Sequence, residues 1–384
     1  MGRTNKTNIA RVDNNLTVSI EKMTDSTPLR IKRIEVEGLF GLYHHVIDLN
    51  LEDRVTILHG PNGVGKSSLL WMLASTFHIN FQRSGSRIYR TPFERYSIEF
   101  TDGGSTTIVN DPDHYDRMLV ENTKYAGGIY VQLIDSQRLF RCTYIAHNPH
   151  MESVISQYAA KLHHEIQNVM NTYEKLSQNL DRTLPQRLLN RLPAQRHDLE
   201  QLKMQAIELN SKISELHEIG LLTETEISLF DLSQFDSVDE MKYAIMALYI
   251  EDTKQKLSVL DDFVQRIKLL INIVNRKFRH KKIKVHRADG FVIDRNLPFT
   301  ELLSSGEQHQ IILIYNLLFP ILPNSLILID DPEISLHISW QKQFLSDLLE
   351  IVKISNFDVI IATHSPFIVG NRDDLMVALE AKLS

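Results

Sequence analysis

The stretch Gly60-Pro61-Asn62-Gly63-Val64-Gly65-Lys66-Ser67 constrains the fold more than any other. It matches the phosphate-binding loop pattern G-x-x-x-x-G-K-[ST], which works only between a strand and a helix. Arg54-Val55-Thr56-Ile57-Leu58-His59 reads as that strand, and Ser67 to Ala74 reads as the helix. Glycines let backbone N–H groups wrap phosphates, and the helix N-terminus adds positive potential there. The expected phosphate binders are Gly60, Pro61, Asn62, Gly63, Val64, Gly65, Lys66, Ser67 and Ser68. Lys66 is to reach the β- and γ-phosphates, and the Ser67 hydroxyl is to ligate Mg²⁺.

The rest of the chain must complete an α/β domain around this loop. Alternating apolar residues predict strands over 29–36, 46–51 and 55–59, with a hairpin turning at Asp102-Gly103-Gly104. A strand over 128–134 runs into Gln137. Further on, 283–287 and 291–293 form a hairpin through Asp289-Gly290. A helix begins after Ser304-Ser305-Gly306, and strands cover 326–329 and 359–362, the latter ending at Thr363-His364-Ser365.

Between these halves the period changes from two to about 3.5. Ile155, Tyr158, Leu162, Ile166, Val169, Tyr173, Leu176 and Leu180 are three or four apart, as are Leu199, Leu202, Ala206, Leu209, Ile213 and Leu216. Such spacing predicts a helical insertion, either packed on the head or projecting as a short coiled coil. Leu184-Pro185 and Leu192-Pro193 are expected to break it, and a third helix is expected from 238 to 278. The expected divisions are a flexible tail over 1–28, an N-terminal lobe over 29–150, the insertion over 151–280 and a C-terminal lobe over 281–384.

Composition narrows the setting. A net charge of −6 gives no global pull toward nucleic acid. The single cysteine, Cys142, excludes a disulfide framework and a CxxC zinc site, and suits a reducing, cytoplasmic interior. The polar first 28 residues carry no signal-peptide core. The run Ile311 to Ile329 is nearly as long as a membrane span, but Pro320, Pro323, Asn324 and Ser325 divide it into helix, turn and strand. A membrane role is therefore not expected. Trp71 and Trp340 fall on predicted helices and read as core. The basic cluster Arg276, Lys277, Arg279, His280, Lys281, Lys282, Lys284, His286 and Arg287 leaves three readings open: DNA contact, a solvated helix end, or a docking patch for an acidic partner.

Leu326 to Asp330 is an apolar strand with acids at its tip. Asp330 is placed to hold Mg²⁺, and Asp331 to orient or deprotonate an attacking water. Leu303-Ser304-Ser305-Gly306-Glu307-Gln308 resembles the ABC signature with Ser305 in place of the first glycine, His364 resembles the switch histidine and Gln137 the Q-loop glutamine. The chain thus resembles ABC-type ATPases with a split P-loop head. Asp330-Asp331-Pro332-Glu333-Ile334-Ser335-Leu336-His337, then Trp340-Gln341 and Thr363-His364-Ser365-Pro366, is similar to OLD-like ATPases and to standalone ATPases of bacterial anti-phage systems of the PARIS type.

That resemblance implies a homodimer or larger homo-oligomer sandwiching ATP and Mg²⁺. Lys66 of one copy and Ser304 and Gly306 of the other would grip one γ-phosphate. It also implies Ser67, Asp330 and Gln137 at the metal, and Asp331, His364 and Gln137 in catalysis. A separate TOPRIM-like nuclease effector is an implied partner, since few residues follow His364, and a phage-encoded trigger is another. Related chains carry Glu where this one has Asp331, one methylene shorter, so slow hydrolysis is expected. Glu333 is the candidate to compensate. The alternatives are a DNA-binding ATPase of the RecF or SMC type and a transporter motor; the long insertion and Glu307 argue against the transporter.

Overall fold

The computed structural model describes residues 28–77, 87–110, 118–121, 129–134, 143–145, 148–150, 154–191, 199–235, 238–293, 303–334 and 336–380. The tail expected over 1–28 (but for its last residue), the second proline break at Leu192-Pro193, Cys142 and Gln137 lie outside them.

Two sheets form the head. The first is antiparallel: β1 (Ile31–Leu39), β2 (Tyr43–Asp48), β4 (Arg95–Phe100), β5 (Ser105–Asn110) and β6 (Met118–Glu121), in the order β2-β1-β4-β5-β6. The second is parallel: β3 (Val55–His59), β7 (Val131–Ile134), β12 (Leu326–Asp330), β13 (Asp358–Thr363) and β14 (Met376–Ala378), in the order β14-β3-β13-β12-β7. Its central strands come from both ends of the sequence, so neither lobe completes the sheet alone. β8 (Thr143–Ile145) and β9 (Asn148–His150) pair as a small hairpin, as do β10 (Ile283–His286) and β11 (Gly290–Ile293).

Every residue of β12 and β13 is buried, as a parallel sheet covered on both faces requires. Alternation then assigns side chains to two cores. Leu326, Leu328 and Ile360 meet the antiparallel sheet and helix α1 (Lys66–Thr76). Ile327, Ile329, Val359 and Ile361 meet the helices on the other face.

Those helices are α2 (Val154–Arg191), α3 (Leu199–Glu218), α4 (Glu240–Ser258), α5 (Asp261–Lys277), α6 (Ser305–Leu318), α7 (Ile338–Ser355) and the short α8 (Pro366–Val369). Buried residues of α2 from Ile155 to Tyr173 share one core with the parallel sheet, so the insertion is packed on the head at its base. Farther along, α2 runs antiparallel to α4. Asp181 pairs with Lys256 at 2.8 Å, Arg187 with Asp252 at 2.5 Å and Arg191 with Glu251 at 2.6 Å. Buried Leu202, Ala206, Leu209, Ile213 and Leu216 give α3 its four-three repeat.

Three expectations need correction. Pro185 does not end α2. The N–H that Pro185 lacks would have served the carbonyl of Asp181. The turn just before that carbonyl is held by side chains, Thr183 Oγ1 donating to the carbonyls of Asn179 (3.0 Å) and Leu180 (3.2 Å) and Arg187 Nη2 to Leu180 O at 2.8 Å. The single helix expected from 238 to 278 is two, divided at Val259-Leu260, with Asp261 and Asp262 opening α5. The core reading of Trp71 and Trp340 is corrected only in degree: both lie on helices and are half-buried, Trp340 packing against the core and stacking on Phe278 with ring centres 5.9 Å apart. The apolar run 311–329 divides as expected into the end of α6, a turn and β12. Among the described residues no helix is long and apolar enough to cross a membrane.

Candidate active site

In open α/β sheets, ligands bind beyond the carboxyl ends of the strands. Here β3, β13 and β12 are neighbours in register: His59 pairs with Thr363, and Asp330 with Ala362. Their ends deliver Gly60, His364 and Asp330-Asp331 to one edge, from segments some 300 residues apart in sequence.

The loop after β3 needs its glycines. Gly63 and Gly65 have φ of +83° and +99°, in the left-handed region that L-residues avoid. Gly65 also lies against buried Leu39 at the end of β1, whose Cδ2 is 2.5 Å from where a Cβ would stand. No acidic side chain occupies the first turn of α1, so its N–H groups face the loop with the positive end of the helix. Lys66 is 4% exposed, its Nζ donating to Gly60 O (2.7 Å) and Pro61 O (2.9 Å) and lying 3.2 Å from His364 Nδ1. Burial lowers its pKa below the ordinary lysine value, and the nearby carboxylates of Asp331, Glu333 and Asp330 only partly restore it.

Ser67 Oγ donates to Asp330 Oδ1 at 2.8 Å. A hydroxyl beside a carboxylate is the hard oxygen donor set that Mg²⁺ takes, so these two residues fit the ion. Asp331 has a φ of +44°. The residue before a proline favours extended backbone, and Asp331 precedes Pro332, so this conformation is strained by about 1–3 kcal/mol. Two hydrogen bonds hold it: Asp331 N donates to Ala362 O at 3.0 Å, and Ile334 N donates to Asp331 O at 3.1 Å.

Glu333 faces the end of β13. Its Oε2 accepts from Thr363 Oγ1 at 2.8 Å, and its Oε1 from the backbone N–H of His364 (2.8 Å) and of Ser365 (3.1 Å). Ser365 Oγ in turn donates to Gln341 Oε1 of α7 at 2.8 Å. Neither Gln341 nor Ser365 was singled out for a role from sequence.

Ser304 caps α6, and Gly306 lies in its first turn. Among the described residues, no hydrogen bond joins them to Lys66, Ser67 or His364. Ser304 is exposed and forms a capping box with Glu307. Glu307 Oε2 accepts from Ser304 N (2.7 Å), Ser304 Oγ (3.0 Å) and Lys281 Nζ (2.7 Å). Burial raises the Glu307 carboxyl, but the hydrogen bonds from Lys281 and Ser304 outweigh it and leave the pKa below the usual range. The pattern Ser304-x-x-Glu307 was the available sequence signal for that box.

Lys281 is one of the basic cluster, and most of its companions are likewise engaged within the chain. Arg276 and Lys277 grip the buried Asp347 at 2.6 and 2.5 Å. Lys282 donates to Asn275 O, His286 pairs with Asp289, and Arg287 pairs with Glu226 and Glu174.

The sequence of the AAA ATPase domain family matches residues 30–369. The chain belongs to that family. It is therefore an ATPase, and its fold is an α/β head with a helical insertion. Three solved structures are similar at low identity. An Smc head domain with an extended coiled coil, bound to the C-terminal domain of ScpA and derived from Pyrococcus furiosus, has 16% identity and a TM-score of 0.43, over 92% of this chain and 95% of that one. An SmcHead bound to the C-winged helix domain of ScpA has 12% and 0.41, over 91% and 93%. The recombination mediator RecF with ATPγS has 14% and 0.35, over 90% and 95%. No curated protein matches the sequence.

Proposed function

We propose that two copies of this ATPase close on Mg-ATP, and that the closed state is long-lived. The observation that carries this reading is the division of the site. Lys66, Ser67, Asp330, Asp331 and His364 meet at one sheet edge, while among the described residues the exposed Ser304 and the half-buried Gly306 share no hydrogen bond with Lys66, Ser67 or His364. A site divided in this way is completed by a second copy, so nucleotide occupancy and dimer geometry are coupled. Ser67 and Asp330 would hold Mg²⁺, which would supply positive charge to the phosphate oxygens. Gln137 is a third candidate ligand.

Within the chain, Lys66 balances the β- and γ-phosphate charge, and the N–H groups of α1 add to it. Asp331 orients the water and takes its proton. His364, beside Lys66, faces the same phosphate. The short Asp331 side chain leaves the water about one bond farther away than Glu would, and misplacement by about 1 Å costs roughly a hundredfold in rate.

A held ATP state suits a switch better than a motor. We infer an ATP-dependent sensor or scaffold of anti-phage defence that sequesters or activates a separate TOPRIM-like nuclease in answer to a phage-encoded trigger. The internal pairing of much of the basic cluster weakens the case for a DNA-binding face there. Co-purification with the products of neighbouring genes, with and without ATP, tests this. A nuclease that is retained by the wild type and lost with Lys66→Ala supports it. ATP-dependent retention of DNA by the protein alone would favour the RecF or SMC type of role instead.

A further inference from the structure

Glu333 sits in an acidic turn beside a candidate base, and composition alone would make it a second base. The geometry points to a different role: we propose that Glu333 is a positioning residue that fixes the switch histidine relative to Asp331. This rests on the reading of the site as an ATPase.

The carboxylate meets the end of β13 with both oxygens. It accepts from three consecutive residues, Thr363, His364 and Ser365. Two of those donors are backbone N–H groups, so the bonds set the path of the chain rather than one side chain. Ser365 is held from the other side by Gln341, whose Nε2 donates to Leu336 O at 3.0 Å in the turn that follows Glu333. Leu336 N donates to Glu333 O at 3.0 Å.

The loop that carries His364 and the turn that carries Asp331 are thus one hydrogen-bonded unit. His364 itself is exposed, and its ring has Lys66 Nζ 3.2 Å from Nδ1. Without the Glu333 bonds its backbone is free to shift while the rest of β13 stays paired to β3 and β12. Charge-assisted hydrogen bonds are the strong kind, and three of them, two from backbone N–H groups and one from the Thr363 hydroxyl, converge on this one side chain.

The test compares Glu333→Ala, His364→Ala and the double variant in phosphate release at saturating Mg-ATP and across an ATP titration. If Glu333 acts through His364, Glu333→Ala lowers kcat by about tenfold to a hundredfold with KM little changed, and adds less than about twofold in the His364→Ala background. Losses that multiply in the double variant would show Glu333 acting on the water itself and overturn the proposal, as would an unchanged kcat in Glu333→Ala. Glu333→Gln, which keeps an acceptor oxygen, serves if the alanine variant does not fold and is expected to lose less.

A second readout does not depend on turnover. The His364 imidazole proton resonances are expected to move in Glu333→Ala without nucleotide; unmoved resonances also overturn the proposal. Lys66→Ala keeps the two ideas apart, because undiminished hydrolysis there would sink the ATPase site itself and leave the resonance test standing.

Discussion

Replacing Gly65 by alanine measures how tightly the phosphate loop is built, because its neighbour Gly63 provides the control. Both have positive φ, +99° and +83°. An alanine at 63 meets nothing within 4 Å and bears only the dihedral cost, about 1–2 kcal/mol. At 65 the new Cβ would stand 2.5 Å from Leu39 Cδ2 and 3.3 Å from Phe40 Cε2. Leu39 is fully buried and cannot swing into solvent. Forcing an extra carbon against such a side chain costs about 1–3 kcal/mol more. Gly65→Ala should therefore lose roughly 2–5 kcal/mol, the sum of the two. Chemical denaturation reads the stability, and titration with a fluorescent ATP analogue reads the loop. Each 1.4 kcal/mol that falls on binding lowers affinity about tenfold. Leu39→Val, which removes the Cδ2 atom, should recover part of the loss at 65 and none at 63. Equal losses for the two alanine variants, with no recovery, would refute the packing of Leu39 beneath the loop.

Other outcomes follow from the same geometry. Burial lowers the Lys66 pKa below 10.5, so the free protein sheds this proton earlier than an unfolded chain does. Its unfavourable contribution to stability is present below the folded pKa and is relieved as pH rises from there toward 10.5. Phosphate binding favours the charged form, so ATP affinity should fall as pH rises through the lowered value, and Lys66→Arg should flatten that fall; a flat wild-type profile would contradict it. Asp331→Asn should bind ATP but hydrolyse it at least about a hundredfold more slowly. Asp331→Glu should turn over faster than wild type while losing about 1 kcal/mol of stability, since aspartate suits positive φ better than glutamate. Hydrolysis by Asp331→Asn at the wild-type rate would remove Asp331 from the chemistry.

Local sequence carried the phosphate-loop pattern and the strands β3 and β12 because each is written in adjacent residues: glycines at fixed offsets, or an apolar run ending in acids. The strand expected over 46–51 lies instead at Tyr43–Asp48, and β6, β8, β9 and β14 gave no signal. What it could not carry were partnerships between distant segments. Glu333 reads as one more acid until β13 is laid beside β12 and its oxygens meet Thr363, His364 and Ser365. Lys281 reads as part of a basic patch until α6 brings Glu307 to it. Pro185 reads as a helix end because the side chains that cover the neighbouring carbonyls, Thr183 and Arg187, have no propensity signal. The positive φ of Asp331 runs against the local preference of a residue before proline, and strain of that kind is held by contacts from the neighbouring strand.

The central claim, that ATP is hydrolysed between two copies, is tested most directly by mixing two inactive variants. Lys66→Ala removes the phosphate-loop lysine, and Ser304→Arg blocks the opposing half. In a mixed dimer one site carries both defects and the other carries neither. Equal amounts should recover about a quarter of wild-type turnover through random pairing into a two-fold dimer. If each variant is inactive alone and the mixture is inactive as well, the site is contained within one chain and the account is wrong.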